Sequence, residues 1–365
     1  MSSSRIFVGE YLCGGGVRDQ TLDSIPSTLL AEGKAMWRSL TEDIAGWARV
    51  ITPVDTRLQL DDGGVSGQDP IERVPMPTDG NTWQHWMEIA RSCDDAIVIA
   101  PESEGILARG ISMMRGSGIH VVAPSTEVLR LTSDKRLTAR LLKNAGVASP
   151  ATIDDKWMRR GRLPNGSRYI IKPSDGCGTA DVRVVDDVED ALELAGPNDL
   201  VQEFWDGRPA SMLIIASPET AEHASACFLP AVWQTISGLP NRREPNLQTF
   251  PQSLQYNGGQ GPVDPESQRR IQMLAQRTLD CLPGRLSGFI GIDVVLGDDA
   301  NHDAVIEINP RLTTSYVGIR RMVDENLTRR LFDGVDQRVT TTVSPGMIDW
   351  DAAGVVRSRR TTANV

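Results

Sequence analysis

The sequence lacks the features of membrane and nucleic-acid-binding proteins. Apolar runs such as Ala96 to Ala100 are far shorter than the ~20 residues of a membrane-spanning helix, and the first residues show no secretory signal. No basic excess is present, because 38 Lys and Arg residues stand against 48 Asp and Glu, whereas nucleic-acid binders usually carry a basic face. These absences predict a cytoplasmic protein that binds neither a membrane nor nucleic acid.

Familiar cysteine and catalytic motifs are also missing. The cysteines are odd in number, widely scattered and without metal-ligand spacing, which predicts free thiols in a reducing compartment; they are Cys13, Cys93, Cys177, Cys227 and Cys281. No Walker A loop occurs, and Gly14-Gly15-Gly16 does not match the G-x-G-x-x-G pattern of dinucleotide sites. The sequence also shows no Ser-His-Asp pattern. We therefore expect neither a disulfide scaffold, nor a cysteine-rich metal site, nor a catalytic triad.

The first third of the chain alternates between strand and helix patterns, which is typical of a doubly wound parallel sheet. Ligands of such sheets bind beyond the carboxyl ends of the strands. We expect four strands and three helices here: strands 5–12, 50–54, 95–100 and 120–123, and helices 27–47, 82–92 and 104–117.

From residue 167 onward the pattern changes to hairpins and short strands, and helices are expected at 266–282 and 315–332. Residues 238–264 are rich in Gly, Pro, Asn and Gln and are predicted to form a long loop, either a cover for a binding site or a mobile surface loop. The last residues, 344–365, show little periodicity and are expected to form a flexible tail.

Two apolar segments near the C-terminus carry the strongest chemical signal. Asp293 interrupts one apolar strand, and Glu307 and Asn309 lie two residues apart in another, so period-two geometry puts both on one face. Buried carboxylates need partners, and Asp, Glu and Asn are suitable oxygen ligands for Mg²⁺. The alternative is an acidic cluster that pairs with Arg311 and Arg320 for stability.

A second signal combines a lysine with a glycine turn. The chain has only five lysines, and Lys172 ends an apolar strand just before Gly176 and Gly178, where backbone N–H groups can approach a phosphate. Lys135 would supply a second cation. The alternative is an ordinary hairpin turn with a solvated lysine.

Taken in order, six short segments resemble the ATP-grasp superfamily over about residues 125–332. They are Ser133-Asp134-Lys135, Ile171-Lys172-Pro173, Gly176-Cys177-Gly178, Gln202-Glu203-Phe204, Gly291-Ile292-Asp293 and Glu307-Ile308-Asn309-Pro310-Arg311. The resemblance implies an α/β protein with a Rossmann-like pre-ATP-grasp domain (1–125), a central lobe (126–200), a C-terminal lobe (201–343) and the tail (344–365).

The resemblance also implies a role for each matched residue. Lys135 and Lys172 contact the ATP phosphates, Lys172 also in catalysis, and the loop around Gly176 and Gly178 closes over them. Gln202, Glu203 and Phe204 form the adenine hinge; Asp293, Glu307 and Asn309 hold Mg²⁺, with Mn²⁺ as an alternative; and Arg311 neutralises the transferring phosphoryl group. Many members place a ribose-binding carboxylate just after the hinge, where this chain has Pro209, so Asp206 is the substitute.

The implied activity is ATP-dependent joining of a carboxylate, such as glutamate, to an amine, such as tyramine, through an acyl phosphate. Glu10-Tyr11-Leu12-Cys13 and Pro101-Glu102-Ser103-Glu104 look like the small amide-forming branch of the superfamily that acts in methanofuran biosynthesis. Glu102 or Glu104 would bind the ammonium group, unless they only favour a helix N-terminus. Three alternatives remain: another ATP-grasp reaction (carboxylase-type or purine-pathway), a phosphotransferase, and a non-catalytic nucleotide-binding module. A homodimer is left open.

Overall fold

A computed structural model describes most of the chain. The described residues are 4–60, 70–153, 168–176, 178–179, 181–217, 225–240, 251–333, 343–344 and 346–359. Among them, no helix is both long and apolar enough to cross a membrane. The expectations for Cys177 and for residues 241–250 lie outside the described residues.

The first sheet is parallel, as predicted, with strand order β3-β2-β1-β4. Its strands are β1 (Arg5–Glu10), β2 (Arg49–Val54), β3 (Ile71–Pro75) and β4 (Asp95–Ile99). The helices that accompany it are α1 (Ser27–Ala45), α2 (Thr82–Ala90) and α3 (Ile106–Gly116). β1 and β4 are buried, so α1 and its neighbours cover a sheet whose carboxyl edge presents Glu10 and Ile99.

Two predictions about this sheet were wrong. Residues 120–123 form only a one-residue parallel bridge, between Ala96 and Val121, because Pro124 follows and the chain turns into the next helix. β3 was missed because it is a half-exposed edge strand whose charged residues, Glu72 and Arg73, hide the strand pattern.

Two helices connect the first sheet to the rest of the chain: α4 (Thr126–Ser133) and α5 (Lys135–Asn144). Asp134 ends the first and caps the second, accepting hydrogen bonds from the N–H groups of Arg136 and Leu137 at 2.8 and 3.1 Å. The apolar stripe from Leu137 to Ala145, followed by Gly146, predicts α5 from the sequence, whereas α4 was missed. The shared residue places Lys135 in the first turn of α5.

A small antiparallel sheet follows, with order β11-β6-β5-β7. It contains β5 (Tyr169–Pro173), β6 (Arg183–Val185), β7 (Asp199–Glu203) and β11 (Gln252–Ser253), with α6 (Val188–Leu194) packed on it. β5 pairs with both β6 and β7, so Lys172 lies next to the strand that leads into Phe204.

The third sheet is also antiparallel, with order β14-β13-β8-β10-β12-β15-β16, and β9 pairs with β8. Its strands are β8 (Arg208–Ser217), β9 (Ser225–Phe228), β10 (Val232–Ser237), β12 (Gln255–Gly261), β13 (Gly288–Leu296), β14 (Ala304–Asn309), β15 (Met347–Asp351) and β16 (Val356–Arg359). The helices α7 (Pro265–Cys281), α8 (Tyr316–Ile319) and α9 (Leu327–Asp333) complete this part.

The predicted loop and tail are the main corrections in this sheet. Residues 238–264 include β11 and β12, and residues 344–365 include the hairpin β15–β16, whose first strand pairs with β12. A Cβ atom at Gly259 would stand 2.6 Å from the Trp350 ring. The glycines of this segment, which favour a loop in the sequence, therefore allow β12 to pass close to the Trp350 ring.

The predicted helix 315–332 is divided into α8 and α9. Asn326 begins the second helix, because its side chain accepts a hydrogen bond from Thr328 N–H at 3.1 Å. An apolar period alone does not show this internal cap.

Candidate functional site

All twelve residues predicted to form the site line one cavity of about 740 Å³. The cavity lies where the carboxyl edge of the first sheet faces the two antiparallel sheets. Its lining contains Lys135, Lys172, Gly176, Gly178, Gln202, Glu203, Phe204, Asp206, Asp293, Glu307, Asn309 and Arg311. The fold thus brings together segments that are up to 176 residues apart in sequence.

Asp293 and Glu307 are cross-strand partners on β13 and β14. Burial, together with the neighbouring charge of Glu307, raises the pKa of Asp293 to about 6. Two amides hold the Asp293 carboxylate, since Asn309 Nδ2 and Gln234 Nε2 each donate to it at 3.0 Å. Asp293 and Glu307 thus place two neighbouring carboxylates in the lining of the cavity.

Both predicted lysines are buried and lie beside that pair. Lys135 Nζ is 3.0 Å from Glu307 Oε1 and also donates to Gly176 O. Burial lowers the pKa of Lys172 to about 8, although the charges of Glu307 and Asp293 act in the opposite direction. Two lysines and two carboxylates therefore form a compact network that can receive an anion together with a metal ion.

The glycine turn is held from three sides. Lys135 contacts the carbonyl oxygen of Gly176, Asp175 accepts a hydrogen bond from Glu104 N–H at 2.8 Å, and Thr179 Oγ1 accepts one from Tyr256 N–H at 2.9 Å. Gly178 has φ +67°, which favours glycine. These contacts keep the turn over the lysines.

The predicted adenine hinge follows β7. Gln202 is buried, and its Nε2 donates to Pro150 O and Thr152 Oγ1 at 3.3 Å, while Phe204 N–H donates to Arg168 O at 2.7 Å. Glu203, Phe204 and Asp206 line the cavity. The Gln202 side chain therefore fixes the hinge to the segment before β5, and the individual roles of these residues toward a nucleotide stay predictions.

Arg311 makes a bidentate ion pair that the sequence did not indicate. Its Nε and Nη2 atoms donate to Glu102 Oε1 and Oε2 at 2.8 and 3.0 Å, and the two side chains are only 10% and 4% exposed. The pair joins the end of β14 to the first sheet. The carboxylate of Glu102, one of the two predicted ammonium ligands, is therefore occupied by Arg311, and Glu104 is exposed and outside the cavity lining.

Other residues of the cavity were missed by the sequence analysis. Glu10 ends β1, Glu32 lies on α1, and Tyr256 lies on β12, where its hydroxyl accepts a hydrogen bond from Trp350 Nε1 at 3.3 Å. The position of Glu10 at the carboxyl end of a parallel strand was a usable signal. The position of Glu32 gives no such signal in the sequence, because a single glutamate in an amphipathic helix is usually solvated.

The donor set beside Lys172 suits Mg²⁺ chemically. Asp293, Glu307 and Asn309 offer hard oxygen ligands, and a buried carboxylate pair is stabilised by a divalent cation. Within the described ranges no group of three His, Cys, Asp or Glu residues could hold a metal. The set is thus two carboxylates and an amide, which fits an ion that completes its shell with phosphate oxygens and water.

Comparison with known proteins gives consistent results. The pre ATP-grasp 3 domain matches residues 48–128, and the ATP-grasp domain matches residues 132–315, half of the chain. The tyramine–L-glutamate ligase of Methanocaldococcus jannaschii is 24% identical over 318 residues, covering 85% of this chain and 83% of the relative.

Two solved structures share the fold. An ATP-grasp superfamily protein from Archaeoglobus fulgidus has a TM-score of 0.66 and 21% identity, with 95% of this chain and 92% of that chain covered. An L-amino acid ligase from Bacillus licheniformis has a TM-score of 0.59 and 13% identity, with 96% and 79% covered. The solved structures support the predicted fold class, and the family match together with the ligase from M. jannaschii supports the predicted ATP-dependent carboxylate–amine ligation. From the parallel first sheet, the two antiparallel sheets and the family match, we conclude that the chain belongs to the ATP-grasp family.

Proposed function

We propose that this protein is an ATP- and Mg²⁺-dependent ligase that joins the carboxylate of glutamate, or of a similar amino acid, to a primary amine such as tyramine. The observation that carries the proposal is the convergence of the two carboxylates, the two buried lysines, the glycine turn and the hinge on one cavity. The M. jannaschii relative bears the name of such a ligase. ATP as substrate is consistent with a cytoplasmic location.

Each part of the cavity has a task in this reaction. Lys135 and Lys172 would bind the phosphates, the hinge would bind adenine and Asp206 the ribose. Asp293, Glu307 and Asn309 would hold Mg²⁺, which neutralises phosphate charge when bound. Because no protein nucleophile is required, positioning and charge neutralisation supply most of the catalysis.

The chemistry proceeds in two steps. A carboxylate oxygen of the acid attacks the γ-phosphorus of ATP, the bond to the β-phosphate oxygen breaks, and ADP leaves. The neutral amine nitrogen then attacks the acyl carbon, the C–O bond to phosphate breaks, and phosphate leaves as the nitrogen loses its proton. Arg311, which Glu102 holds in place, would face the acyl phosphate from the side of the first sheet.

The test is a reaction of purified protein with MgATP, glutamate and tyramine. ADP, phosphate and a new amide, detected by mass spectrometry, should appear in equal amounts. A stable phosphorylated product without amide would indicate a phosphotransferase. Nucleotide binding without turnover over a panel of acids and amines would contradict catalysis and indicate a binding module.

A further inference from the structure

The end of the cavity next to the first sheet is rich in uncompensated acid. We call this part, lined by Glu10, Glu32, Gly33, Thr313 and Thr314, the acidic end. Glu10 is 3% exposed, and Cys13 N–H donates to its Oε2 at 2.7 Å. Glu32 Oε2 accepts a hydrogen bond from Thr314 Oγ1 at 3.1 Å. In the part of the chain that the structure describes, neither carboxylate has an ion-pair partner.

The nearby guanidinium does not neutralise these two acids. Arg311 lowers the pKa of both, but burial is the larger effect and raises the pKa of Glu10 and of Glu32. The Arg311 guanidinium already donates hydrogen bonds to both carboxylate oxygens of Glu102. Three carboxylates thus share one cation, and a buried carboxylate without a counter-charge is costly. A positively charged ligand would remove that cost.

A second, independent observation points to a ligand at the same place. Thr313 is 9% exposed and lines the cavity, and its Oγ1 is buried without a hydrogen-bond partner among the described residues. An unsatisfied buried hydroxyl destabilises the fold. A Cβ atom at Gly291 would stand 3.5 Å from both Asn309 Cβ and Thr313 Oγ1, so a ligand that bonds to Thr313 is close to the proposed metal site.

The walls around the acidic end are apolar. Leu29 and Met36 line it from α1, Ile99 from the end of β4, and Leu12 and Pro101 from the segments that follow β1 and β4. Gly33 keeps the approach to Glu10 open, because a Cβ atom there would stand 3.0 Å from Glu10 Oε1. The pocket therefore combines an anionic recess with room for an apolar body, and this combination fits an organic cation better than an inorganic one.

We propose that the acidic end is the subsite for the acceptor amine, and that it takes a primary ammonium group on an apolar body. Glu10 and Glu32 bind the ammonium group, Thr313 accepts a hydrogen bond from it, and the apolar walls contact its carbon skeleton. The inference rests on the proposed function and assigns to Glu10 and Glu32 the task predicted for Glu102 and Glu104. The subsite selects the amine before the nitrogen reaches the acyl phosphate.

The main test is Glu32→Gln, since Glu32 is only partly buried and glutamine keeps the bond to Thr314. We expect KM for tyramine to rise about tenfold or more, as for loss of a charged hydrogen bond, while KM for glutamate and for MgATP stays within twofold. Glu10→Gln should act in the same way. Glu42→Gln, on the same helix but outside the cavity, is the matched control and should leave all three values unchanged.

Hydroxylamine, used in place of tyramine, distinguishes recognition of the ammonium group from the attack on the acyl phosphate. It is an uncharged nucleophile at neutral pH, so glutamate hydroxamate should form at the parental rate in Glu32→Gln. Equal losses with tyramine and hydroxylamine would overturn the proposal, and so would a rise in KM for glutamate, which would indicate that the acids bind the donor's own ammonium group.

A direct measurement of ligand binding tests the amine subsite even if the protein proves not to be a ligase. A parent protein that releases no ADP and forms no hydroxamate contradicts the ligase, not the subsite. In that case calorimetry compares tyramine with 4-ethylphenol, which lacks the amine. The parent should prefer tyramine about tenfold or more, and Glu32→Gln should lose this preference. Equal binding of the two ligands to the parent would overturn the proposal.

Discussion

Buried carboxylates are compensated differently at the two ends of the cavity. One end, which we call the metal end, is the proposed Mg²⁺ site of Asp293, Glu307 and Asn309. There Glu307 has Lys135 at 3.0 Å, and Asp293 has two amide donors. At the acidic end, Glu10 and Glu32 receive only hydrogen bonds from neutral groups. The first arrangement is nearly balanced before any ligand binds, whereas the second is not.

This difference follows from what each end would bind. A metal ion with a polyphosphate brings both signs of charge, so a network of lysines and carboxylates can accept it and stay balanced. An ammonium group brings only positive charge, so its subsite needs excess acid. The contrast predicts that changes at the metal end abolish the reaction, while changes at the acidic end alter the choice of amine.

The largest effect is expected at the metal end, for Glu307→Gln. The substitution removes a proposed metal ligand and the partner of Lys135, so kcat should fall by about 10²- to 10³-fold. Steady-state ADP release measures the loss, and circular dichroism checks the fold. The matched control is Glu266→Gln, an exposed position on α7, which should keep full activity. An unfolded Glu307→Gln protein would show that this residue is structural.

Between the two ends, Glu102→Gln should lower stability. It removes the charged bidentate pairing of Glu102 with the buried Arg311 guanidinium, and breaking such a buried pair costs about 3 kcal/mol. Urea denaturation measures the free energy of unfolding. Glu72→Gln breaks the exposed pair of Glu72 with Arg49 and should cost less than about 1 kcal/mol. Equal losses in the two variants would show that burial does not strengthen the Glu102–Arg311 pair.

The sequence predicts the metal end far better than the acidic end. Asp293, Glu307 and Asn309 stand out because polar residues interrupt apolar strands, and Lys172 stands out because it precedes a glycine turn. Each signal is local, and the fold only has to bring the segments together.

The acidic end carries no local signal of this kind. Glu32 becomes part of a site only because α1 packs at the carboxyl edge of the first sheet, and Thr313 only because its hydroxyl has no partner among the described residues of the folded chain. The same reason explains the errors at β12 and β15: Gly258 and Gly259 look like a loop until Trp350, about 90 residues away, lies on the strand. Long-range packing determines these features, and the hydrophobic periodicity of the sequence does not indicate it.

The pKa of Lys172 gives a pH-dependent prediction for the metal end. In the free protein this pKa is about 8 instead of 10.5, so the amine loses its proton as pH rises through 8. A bound phosphate favours the charged form, and binding of MgADP at pH 8 should therefore take up protons. At that pH Asp293, with a pKa of about 6, is already ionised. Affinity should fall by up to about tenfold per pH unit above 8.

Calorimetry in two buffers of different ionisation enthalpy measures this proton uptake. Lys172→Met should bind MgADP more weakly at pH 7 and show no uptake at pH 8. At pH 6.5 the parent should take up no proton through Lys172, because the lysine is already charged. Uptake at pH 8 that persists in Lys172→Met would assign it to another group.

The smallest effect is expected at the acidic end, for Gly33→Ala. The new methyl group would stand 3.0 Å from Glu10 Oε1, so it narrows the approach to that carboxylate without changing any charge. KM for tyramine should rise about threefold to fivefold, equivalent to roughly 1 kcal/mol, while KM for MgATP stays constant.

Gly116→Ala, at the end of α3, is the matched control because nothing lies within 4 Å of its added Cβ. Alanine favours a helix over glycine by up to about 1 kcal/mol, which offsets the cost of moving the Glu10 carboxyl away from the new methyl group. Urea denaturation measures the net change in stability, and a rise in KM without a loss of stability would separate access to Glu10 from the integrity of α1. An unchanged KM for tyramine would show that the amine does not approach Glu10 along this side.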